Sequence, residues 1–339
     1  MLVLGIESSC DETAASVVLN GKKVLSSIIS SQIDDHSLYG GVVPEIASRK
    51  HLEAVSDVVF NALDQAGVKS EDLYGVAATQ GPGLIGSLLV GFCFAKGFAF
   101  ASNLKFTGVD HLHGHLMSVF LEEKAPNFPY VALLASGGHT SLYFVEDHLS
   151  YEIIGSTRDD AAGEAYDKVS KMLGLGYPGG KIIDEISKNG DPGKYPFPRA
   201  WLEKGSFDFS FSGLKSAVRR LIDSIPQDKI EKEIPHIAAG FQDSVKDVLV
   251  KKSIMAMEKY KCGDFALCGG VAANSGLRAE LGKRLPKKGF RLFLPSVSLC
   301  GDNGSMIGCA GYYKFMKNKL ASFDEEVYPR ALFKLKKGF

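Results

Sequence analysis

Short apolar runs alternate with polar, glycine-containing turns in the first third of the chain. The runs that have the length of a strand are residues 1–6, 14–19, 75–79 and 105–109. A short apolar run bounded by turn residues is typical of a buried strand. The first two runs flank the polar turn 7–13 and predict a hairpin with polar groups concentrated at its tip.

Two longer segments between these strands have the length of helices. Residues 44–66 predict a helix, because proline is favoured in a first helical turn and Gly67 provides a stop signal. Residues 84–100 form the most apolar run, but Lys96 and three glycines interrupt it. We therefore expect a buried core helix rather than a membrane span. Strands that alternate with helices indicate an α/β lobe.

The opening pattern returns near residue 130. Two apolar runs, 130–135 and 141–145, predict strands on either side of the small-residue turn 136–140. This layout repeats that of residues 2–19 and predicts a duplicated lobe rather than a solenoid. Two such hairpins facing each other across a cleft would hold a phosphate from both sides.

The remainder of the second half also alternates between helices and strands. The predicted elements are a helix at 237–260, a strand at 265–268, a helix at 276–285, a strand at 290–294 and a closing helix after Asp302. The Gly-Gly turn within 269–275 opens a helix and is a potential anion or nucleotide site. It is neither a P-loop nor a dinucleotide fingerprint, because its glycine spacing differs from both.

Residues 155–184 combine many glycines with several carboxylates. We interpret this segment as a functional loop. A solvated acidic helix is the alternative, and it would account for Asp159 and Glu164 but not for the Pro-Gly-Gly turn at 178–180. Residues 206–222 alternate aromatic and small residues and then become basic and helical.

Three of the eight histidines lie close together, at His111, His113 and His115. In a helix, His111 and His115 are one turn apart and project from the same face, the spacing that two imidazoles need to hold one metal ion. His113 lies about 160° away around the helix axis, at ~100° per residue. Asp302, in a glycine-flanked turn before an apolar helix, is the favoured third ligand, since a distant carboxylate commonly completes such sites. A histidine-rich amphipathic surface helix is the alternative.

The composition is that of a reduced protein with more than one domain. The chain has 339 residues, 45% of them hydrophobic, with 39 basic and 39 acidic side chains. A net charge of zero argues against overall attraction to nucleic acid but not against a local basic patch. The six cysteines include no C-x-x-C pair. The apolar residues 1–6 do not resemble a signal peptide, because Glu7 ends the run and no basic segment precedes it. We expect a cytoplasmic protein that does not bind a membrane.

Eight motifs, in order along nearly the whole chain, give the sequence a family resemblance. They are Gly-Ile-Glu-Ser-Ser-Cys-Asp-Glu-Thr at 5–13, Gly-Gly-Val-Val-Pro-Glu at 40–45, Gly-Pro-Gly-Leu at 81–84, the histidines of 111–115, Ser-Gly-Gly-His-Thr at 136–140, Asp-Asp-Ala-Ala-Gly-Glu-Ala at 159–165, Phe-Ser-Phe-Ser-Gly-Leu-Lys at 209–215 and Gly-Gly-Val-Ala-Ala-Asn at 269–274. From residue 2 to about 315, the chain resembles the tRNA adenosine threonylcarbamoyltransferases, once called glycoproteases, of the actin-like ATPase superfamily. The sequence Val-Val-Pro-Glu at 42–45 resembles that of the bacterial or organellar branch of this family.

The resemblance implies an α/β fold of two actin-like, ribonuclease H-like lobes, with mixed sheets flanked by helices and a cleft between the lobes. Residues 1–129 would form the N-terminal lobe, and the closing helix near 303–318 would pack back on it. Residues 130–302 would form the C-terminal lobe, with an inserted loop and helix region at about 150–215.

The resemblance also implies a metal-dependent acyl transfer. The threonylcarbamoyl group of L-threonylcarbamoyl-adenylate would pass to N6 of the adenosine 3′ of the anticodon, in tRNAs that read codons starting with A, and AMP would leave. One divalent metal per chain, iron(II) or alternatively zinc, would have ligands at His111, His115 and Asp302. The positions that map to adenylate binding are Leu134, Ala135, Ser136, Gly137, Gly138, Asp167, Gly180, Asp184 and Asn274. His113 departs from the family pattern, because many relatives carry glutamate there.

The implied partners are tRNA, a smaller paralogous subunit and an ATPase subunit. Lys215 and Arg219 share one helix face and are candidate contacts for tRNA phosphates. Further candidates lie in the tail, at Lys334, Lys336 and Lys337. Alternatively, Lys215 belongs to the active-site wall and Arg219 is simply solvated.

Asp11, at the first hairpin tip, is a candidate general base. Alternatively, its side chain only stabilises the turn.

Two other classes of function are alternatives to the transferase. A zinc peptidase requires a glutamate directly after the first histidine, as in H-E-x-x-H, whereas Leu112 follows His111 here. A non-catalytic scaffold or an ATPase of the same fold would not need the three metal ligands. Metal analysis of the purified protein discriminates between these classes and the transferase.

Overall fold

The computed structural model describes residues 1–200, 202–203 and 205–330. The chain forms two compact units. The described parts of unit 1 are Met1–Ala125, His148–Ser150 and residues 295–330, and those of unit 2 are Pro126–Asp147 and Tyr151–Leu294.

Strands and helices alternate through most of both units. The strands are β1 (Leu2–Glu7), β2 (Glu12–Leu19), β3 (Lys23–Ser31), β4 (Gly75–Gly81), β5 (Lys105–Asp110), β6 (Tyr130–Ala135), β7 (Thr140–Asp147), β8 (Ser150–Ser156), β9 (Asp264–Cys268) and β10 (Arg291–Phe293). The helices are α1 (Ile33–Ser37), α2 (Pro44–Ala66), α3 (Ile85–Ala101), α4 (His111–Met117), α5 (Ala162–Met172), α6 (Gly179–Ser187), α7 (Ser212–Ser224), α8 (Ile230–Tyr260), α9 (Ser275–Arg284) and α10 (Gly304–Met316). Short 3-10 turns occupy Ser70–Asp72, Ser118–Leu121, Gly270–Ala273, Pro286–Lys288 and Val297–Leu299.

The sheet of unit 1 has the strand order β3-β2-β1-β4-β5. Strands β1, β2 and β3 pair antiparallel, so the predicted N-terminal hairpin is confirmed. Strands β4 and β5 extend the sheet parallel to β1. The edge strand β3 was not predicted, because its few apolar residues are interspersed with serines and most of its side chains are at least partly exposed.

The sheet of unit 2 repeats this arrangement in the order β10-β9-β6-β7-β8. Strand β6 is antiparallel to β7 and parallel to β9, and β9 is parallel to β10. The pair β6–β7 therefore corresponds to β1–β2, and the predicted duplication is confirmed. Each half of the chain supplies one mixed sheet.

Helices α2 and α3 pack on one face of the unit 1 sheet. The core there contains Leu4 and Ile6 of β1, Val59 of α2 and Phe92 of α3, all buried. Alternate residues of a strand point to opposite faces, so Val3 and Gly5 face the other side of the sheet. That side is covered by α10.

Helix α10 approaches the sheet through glycines. A Cβ atom on Gly304 would lie 2.6 Å from the Gly5 carbonyl oxygen, and one on Gly311 would lie 2.3 Å from Ala77 Cβ. Side chains at these positions would push the helix away. The close approach places the turn that precedes α10, and with it Asp302, beside β1 and β2.

Two predicted helices of unit 1 are confirmed. Helix α2 spans the predicted residues 44–66, and Gly67 ends it with a left-handed φ of 66°. Helix α3 is a core helix that buries Leu88 and Phe92. Within the described residues, no helix combines the length and the apolarity that a membrane span requires.

Two interpretations in the second half were wrong. Most of residues 155–184 is not a loop but the helices α5 and α6, because α5 buries an apolar stripe that includes Ala165, Tyr166 and Val169. Helix α8 begins at Ile230 rather than at residue 237 and contains Pro235. The proline removes one helical hydrogen bond there without ending the helix.

Candidate functional site

Helix α4 carries the three clustered histidines and follows β5 directly. Asp110 caps the helix: its Oδ1 atom accepts hydrogen bonds from the backbone N–H groups of Leu112 and His113, at 2.9 and 3.1 Å. Every residue of α4 is buried. The cap and the burial together fix the direction of each imidazole.

The structure brings His111, His115 and Asp302 together in unit 1. One side-chain ligand atom from each lies within 4.8 Å of the other two. His115 Nε2 is 3.1 Å from Asp302 Oδ1, and His111 Nε2 is 3.6 Å from the same oxygen. Asp302 lies just before Asn303, whose Oδ1 accepts a hydrogen bond from Met306 N–H at the start of α10. The helix cap thus holds the carboxylate near the imidazoles.

The environment of His115 fits a metal ion. Its side chain is fully buried, and neither ring nitrogen has a hydrogen-bond partner among the described residues. The approach to Asp302 is short but lacks hydrogen-bond geometry. Buried polar atoms are nearly always satisfied, so two such nitrogens beside a carboxylate fit the binding of a metal ion. Two imidazoles and a carboxylate are donors that iron(II) and zinc accept.

His111 lies in a more polar environment than His115. Its Nδ1 atom is 3.0 Å from Glu7 Oε2 and 3.1 Å from Ser9 Oγ. Burial alone would lower the pKa of His111, but the negative charges of Asp302 and Glu7 outweigh it and raise the pKa to about 9. A bound cation would take the place of that proton.

His113 points away from the other two imidazoles. Its Nε2 atom lies 2.7 Å from the backbone oxygen of His148, within unit 1. Burial and the nearby charge of Lys314 lower the pKa of His113 to about 4, so the ring is neutral at pH 7. This placement agrees with the helical geometry expected from the sequence.

The tip of the first hairpin adds carboxylates near the predicted metal ligands. Asp11 is buried, and its backbone oxygen accepts a hydrogen bond from Gln32 N–H at 3.0 Å. The neighbouring Glu12 lies in the field of other acids: burial and the charges of Asp302 and Asp11 raise its pKa well above the usual range. Sequence reasoning singled out Asp11 and overlooked Glu12.

In unit 2, the glycine turn between β6 and β7 packs against the start of α5. Gly163 N–H donates to the Ser136 oxygen at 3.1 Å, and a Cβ atom on Gly163 would lie 2.5 Å from that oxygen. Nothing lies within 4 Å of the positions that a Cβ would take on Gly137 and Gly138. The turn therefore leaves room for a ligand beside its backbone. Leu134 and Ala135 are buried in β6 just before it.

Asp184 and Asn274 meet at the start of α9. Asp184 Oδ2 accepts a hydrogen bond from Ser275 N–H at 2.8 Å, and its Oδ1 accepts from Gly276 N–H at 3.3 Å. Asn274 caps the same helix by accepting from Leu277 N–H at 2.8 Å. Both side chains are nearly buried. Each thus has a structural role in addition to the ligand role expected from the sequence.

Gln242 of α8 links these groups, and sequence reasoning missed it. Its Nε2 atom donates to Asp184 Oδ1 at 3.1 Å and to Ser187 Oγ at 2.7 Å. Its Oε1 atom accepts from Asn274 Nδ2 at 2.7 Å. One buried amide therefore connects α6, α8 and the cap of α9.

Replacing Gln242 with alanine should destabilise unit 2. The change removes the acceptor of the buried Asn274 Nδ2 group and one of the donors to Asp184. An unsatisfied buried group costs about 1–3 kcal/mol in the free energy of unfolding. Thermal unfolding of Gln242→Ala and Gln227→Ala measures the difference. Gln227 is an exposed turn residue, so its variant should match the parent protein. Equal melting temperatures for both variants would contradict the linking role.

Asp167 lies within α5, and Gly180 lies at the start of α6, the helix that follows the next turn. Asp167 Oδ1 accepts a hydrogen bond from Gly179 N–H at 2.7 Å. Gly180 is in the first turn of α6, where a Cβ would have open space around it. The structure therefore places both in unit 2 with Ser136, Asp184 and the other positions that the resemblance assigned to adenylate binding.

A family model for tRNA N6-adenosine threonylcarbamoyltransferase matches residues 23–309. The chain belongs to this family. The transferase of Desulforapulum autotrophicum is 52% identical over 98% of this chain and 100% of its own length. The transferase of Thermodesulfovibrio yellowstonii is 51% identical over 95% of this chain and 96% of its own length. The resemblance recognised in the motifs is confirmed.

The solved structures confirm the fold of the transferase. Full-length HypF, in its phosphate- and nucleotide-bound form, superimposes with a TM-score of 0.61 at 14% identity, covering 93% of this chain and 46% of HypF. At that identity the likeness concerns the fold alone. Two lobes of the actin-like type, each with a five-stranded mixed sheet, are therefore established.

Two cations of α7 in the transferase, Lys215 and Arg219, already have carboxylate partners. Lys215 Nζ is 2.8 Å from Asp160 Oδ2, and Arg219 Nε is 3.0 Å from Asp223 Oδ1. Lys215 is half-buried, whereas the Arg219 side chain is 60% exposed. The tail lysines 334, 336 and 337 lie outside the described residues.

Proposed function

We propose that the transferase moves the threonylcarbamoyl group of L-threonylcarbamoyl-adenylate to N6 of the adenosine 3′ of the anticodon, in tRNAs that read codons starting with A. The observation that carries this proposal is the group of two buried histidines, His111 and His115, with the partly buried Asp302, in a chain of this family. A scaffold or an ATPase would not need such a group.

The reaction balances as an acyl transfer. The N6 amine forms a bond to the carbamoyl carbon, the bond from that carbon to the adenylate oxygen breaks, AMP leaves, and the amine loses a proton. One divalent metal, iron(II) or alternatively zinc, held by His111, His115 and Asp302, would supply a Lewis acid for an oxygen of the donor. Asp11, buried at the first hairpin tip, is the proposed acceptor of the proton.

Residues of unit 2 are proposed to bind the adenylate. The open backbone at Gly137 and Gly138, with the Ser136 hydroxyl, suits a phosphate or a developing negative charge. The remaining proposed contacts are Leu134, Ala135, Asp167, Gly180, Asp184 and Asn274. Hydrogen bonds to α9 and Gln242 hold the side chains of Asp184 and Asn274 in place. Polar atoms of these two side chains would then be oriented to bind the ribose hydroxyl groups.

We also propose a cytoplasmic enzyme that works with a smaller paralogous subunit and an ATPase subunit. The apolar helices of unit 1 expose Leu52, Phe60 and Leu89, which is consistent with a protein partner.

Incubation of the purified chain with iron(II), the adenylate donor and unmodified tRNA tests the proposal. Samples are prepared with and without the two partner subunits. Nucleoside mass spectrometry of these samples should detect threonylcarbamoyladenosine. The matched control is the same tRNA with another base in place of the adenosine 3′ of the anticodon, which should stay unmodified. Unmodified tRNA in every sample would contradict the proposal.

Helix α7 is the proposed contact for tRNA phosphates, through Lys215 and Arg219. The exposed pair of Arg219 with Asp223 is worth only about 0–1 kcal/mol, so a phosphate can displace the carboxylate. Changing both residues to glutamine should weaken tRNA binding for all substrates. It should also reduce the slope of log affinity against log salt by about one unit for each lost contact.

A matched control for this change is Lys251→Gln on α8. Lys251 lies one helical turn after Asp247, and its Nζ atom is 2.8 Å from Asp247 Oδ2. Its loss therefore tests the general effect of removing a cation that is paired within a helix. The salt slope should stay at the parent value in this variant. An unchanged slope in the Lys215→Gln/Arg219→Gln protein would place the tRNA elsewhere.

A further inference from the structure

Glu7 is a fully buried acid at the end of β1. Its Oε1 atom accepts a hydrogen bond from Ser9 N–H at 2.5 Å, and its Oε2 atom accepts from Thr79 Oγ1 at 2.6 Å. The same Oε2 atom lies 3.0 Å from His111 Nδ1. Two of these contacts fix the carboxylate, and the third connects it to an imidazole.

The carboxylate determines which nitrogen of His111 carries the proton. An ionised carboxylate is only an acceptor, so the contact at 3.0 Å requires a proton on Nδ1. The opposite tautomer would direct the Nδ1 lone pair at a negative oxygen. Ser9 Oγ, 3.1 Å from the same nitrogen, can share the Nδ1 proton as a second acceptor. The lone pair of a neutral ring therefore lies on Nε2, the nitrogen on the Asp302 side.

We propose that Glu7 is a positioning residue for the metal: it holds the His111 ring with Nε2 as the ligand atom. The proposal rests on the metal site proposed above and adds a residue that touches neither metal nor substrate. Carboxylates that accept the second N–H of a metal-bound histidine orient the ring and make it a stronger ligand, and their loss typically weakens metal binding by about 10–100-fold.

The alternative is that any change to an acid close to the proposed metal ligands weakens metal binding. Glu12 is the matched control, because it lies in the field of Asp302 while its side chain has no hydrogen bond to His111 among those the structure describes. If the effect is general to acids in this part of unit 1, the changes at Glu7 and Glu12 should weaken metal binding to a similar extent. If the contact with His111 matters, only the change at Glu7 should have a large effect.

The test is zinc affinity, measured by competition with a chromophoric chelator in the full chain. Glu7→Gln should bind Zn²⁺ about 10–100-fold more weakly than the parent protein, and Glu12→Gln should change much less. Thr79→Val, which removes one donor to Glu7 and keeps the side-chain shape, should show a smaller loss in the same direction. Unchanged affinity in Glu7→Gln, or an equal loss in Glu12→Gln, would overturn the proposal.

Two further measurements test the proposal even if the Glu7→Gln protein does not fold. In the zinc-bound parent protein, ¹⁵N NMR of the imidazoles should show a protonated Nδ1 and a metal-bound Nε2 for His111, and coordination through Nδ1 would overturn the proposal. His115→Ala tests the metal site itself. Loss of zinc in His115→Ala with normal affinity in Glu7→Gln would reject the role of Glu7 alone, whereas full zinc binding by His115→Ala would reject the site.

Discussion

Removal of the His115 imidazole or the Asp302 carboxylate is expected to abolish metal binding and transfer activity together. These two side chains lie 3.1 Å apart, and the His115 nitrogens have no other partner among the described residues. Changes in the residues that contact metal ligands typically lower the metal affinity or the activity by about 10–100-fold. Loss of a proposed direct ligand should lower the metal affinity and the rate by more than this range. Metal analysis and a transfer assay on His115→Ala and Asp302→Ala measure both effects.

The matched control for these variants is His113→Ala. It removes an equally buried imidazole from the same helix, but one that points to the His148 backbone oxygen. This variant should keep most of its metal. Circular dichroism should show native helix content in all three proteins. Full metal occupancy in His115→Ala, or metal loss in His113→Ala, would show that the wrong imidazoles were assigned.

Gly304→Ala should destabilise unit 1 and weaken metal binding at the proposed site. The new methyl group would lie 2.6 Å from the Gly5 oxygen and 2.6 Å from the Ser16 nitrogen, both backbone atoms that cannot move aside cheaply. Overpacking of this kind costs about 1–3 kcal/mol in the free energy of unfolding, and sometimes more. Helix α10 must shift, and Asp302 moves with it. Thermal unfolding and zinc titration measure the two consequences.

Gly97→Ala is the control for this change. Gly97 lies exposed in the middle of α3, and nothing lies within 4 Å of the added methyl group. Alanine is the better helix former there, so this variant should be more stable by about 0.5–1 kcal/mol. A Gly304→Ala protein with the parent's melting temperature would refute the tight packing of α10 on the sheet.

The local signals in the sequence predicted the framework of both units. Pro44 and Gly67 fixed the bounds of α2, and the repeated apolar runs around residues 2–19 and 130–145 identified the duplication. These features depend on neighbouring residues only. The spacing of His111 and His115 belongs to the same class, because one helical turn is enough to bring them onto one face.

Features that depend on contacts distant in sequence were missed. Glu7 and His111 are 104 positions apart, and Gln242 and Asp184 are 58 apart, so no local pattern connects them. Helices α5 and α6 were taken for a loop because the segment combines many glycines with several carboxylates. In the fold, Gly163 and Gly179 are instead required where helix and turn backbones approach closely.

The peptidase alternative conflicts with the structure of α4. A zincin places its general base one residue after the first histidine. Here that residue is Leu112, whose side chain is buried in the unit 1 core. The acids near the imidazoles come from β1, the first hairpin tip and the turn before α10. This arrangement agrees with the family of the chain and gives no reason to expect peptide hydrolysis.

A single-turnover experiment tests the central claim most directly. The chain, with its partner subunits, is stripped of metal, divided, and assayed with and without restored iron(II), using limiting threonylcarbamoyl-adenylate and unmodified tRNA. AMP and threonylcarbamoyladenosine are measured in the same samples. The expected result is one AMP for each modified adenosine, with one metal per chain, and little of either product without metal. Equal transfer without metal, or AMP release without modified tRNA, would contradict the proposed reaction.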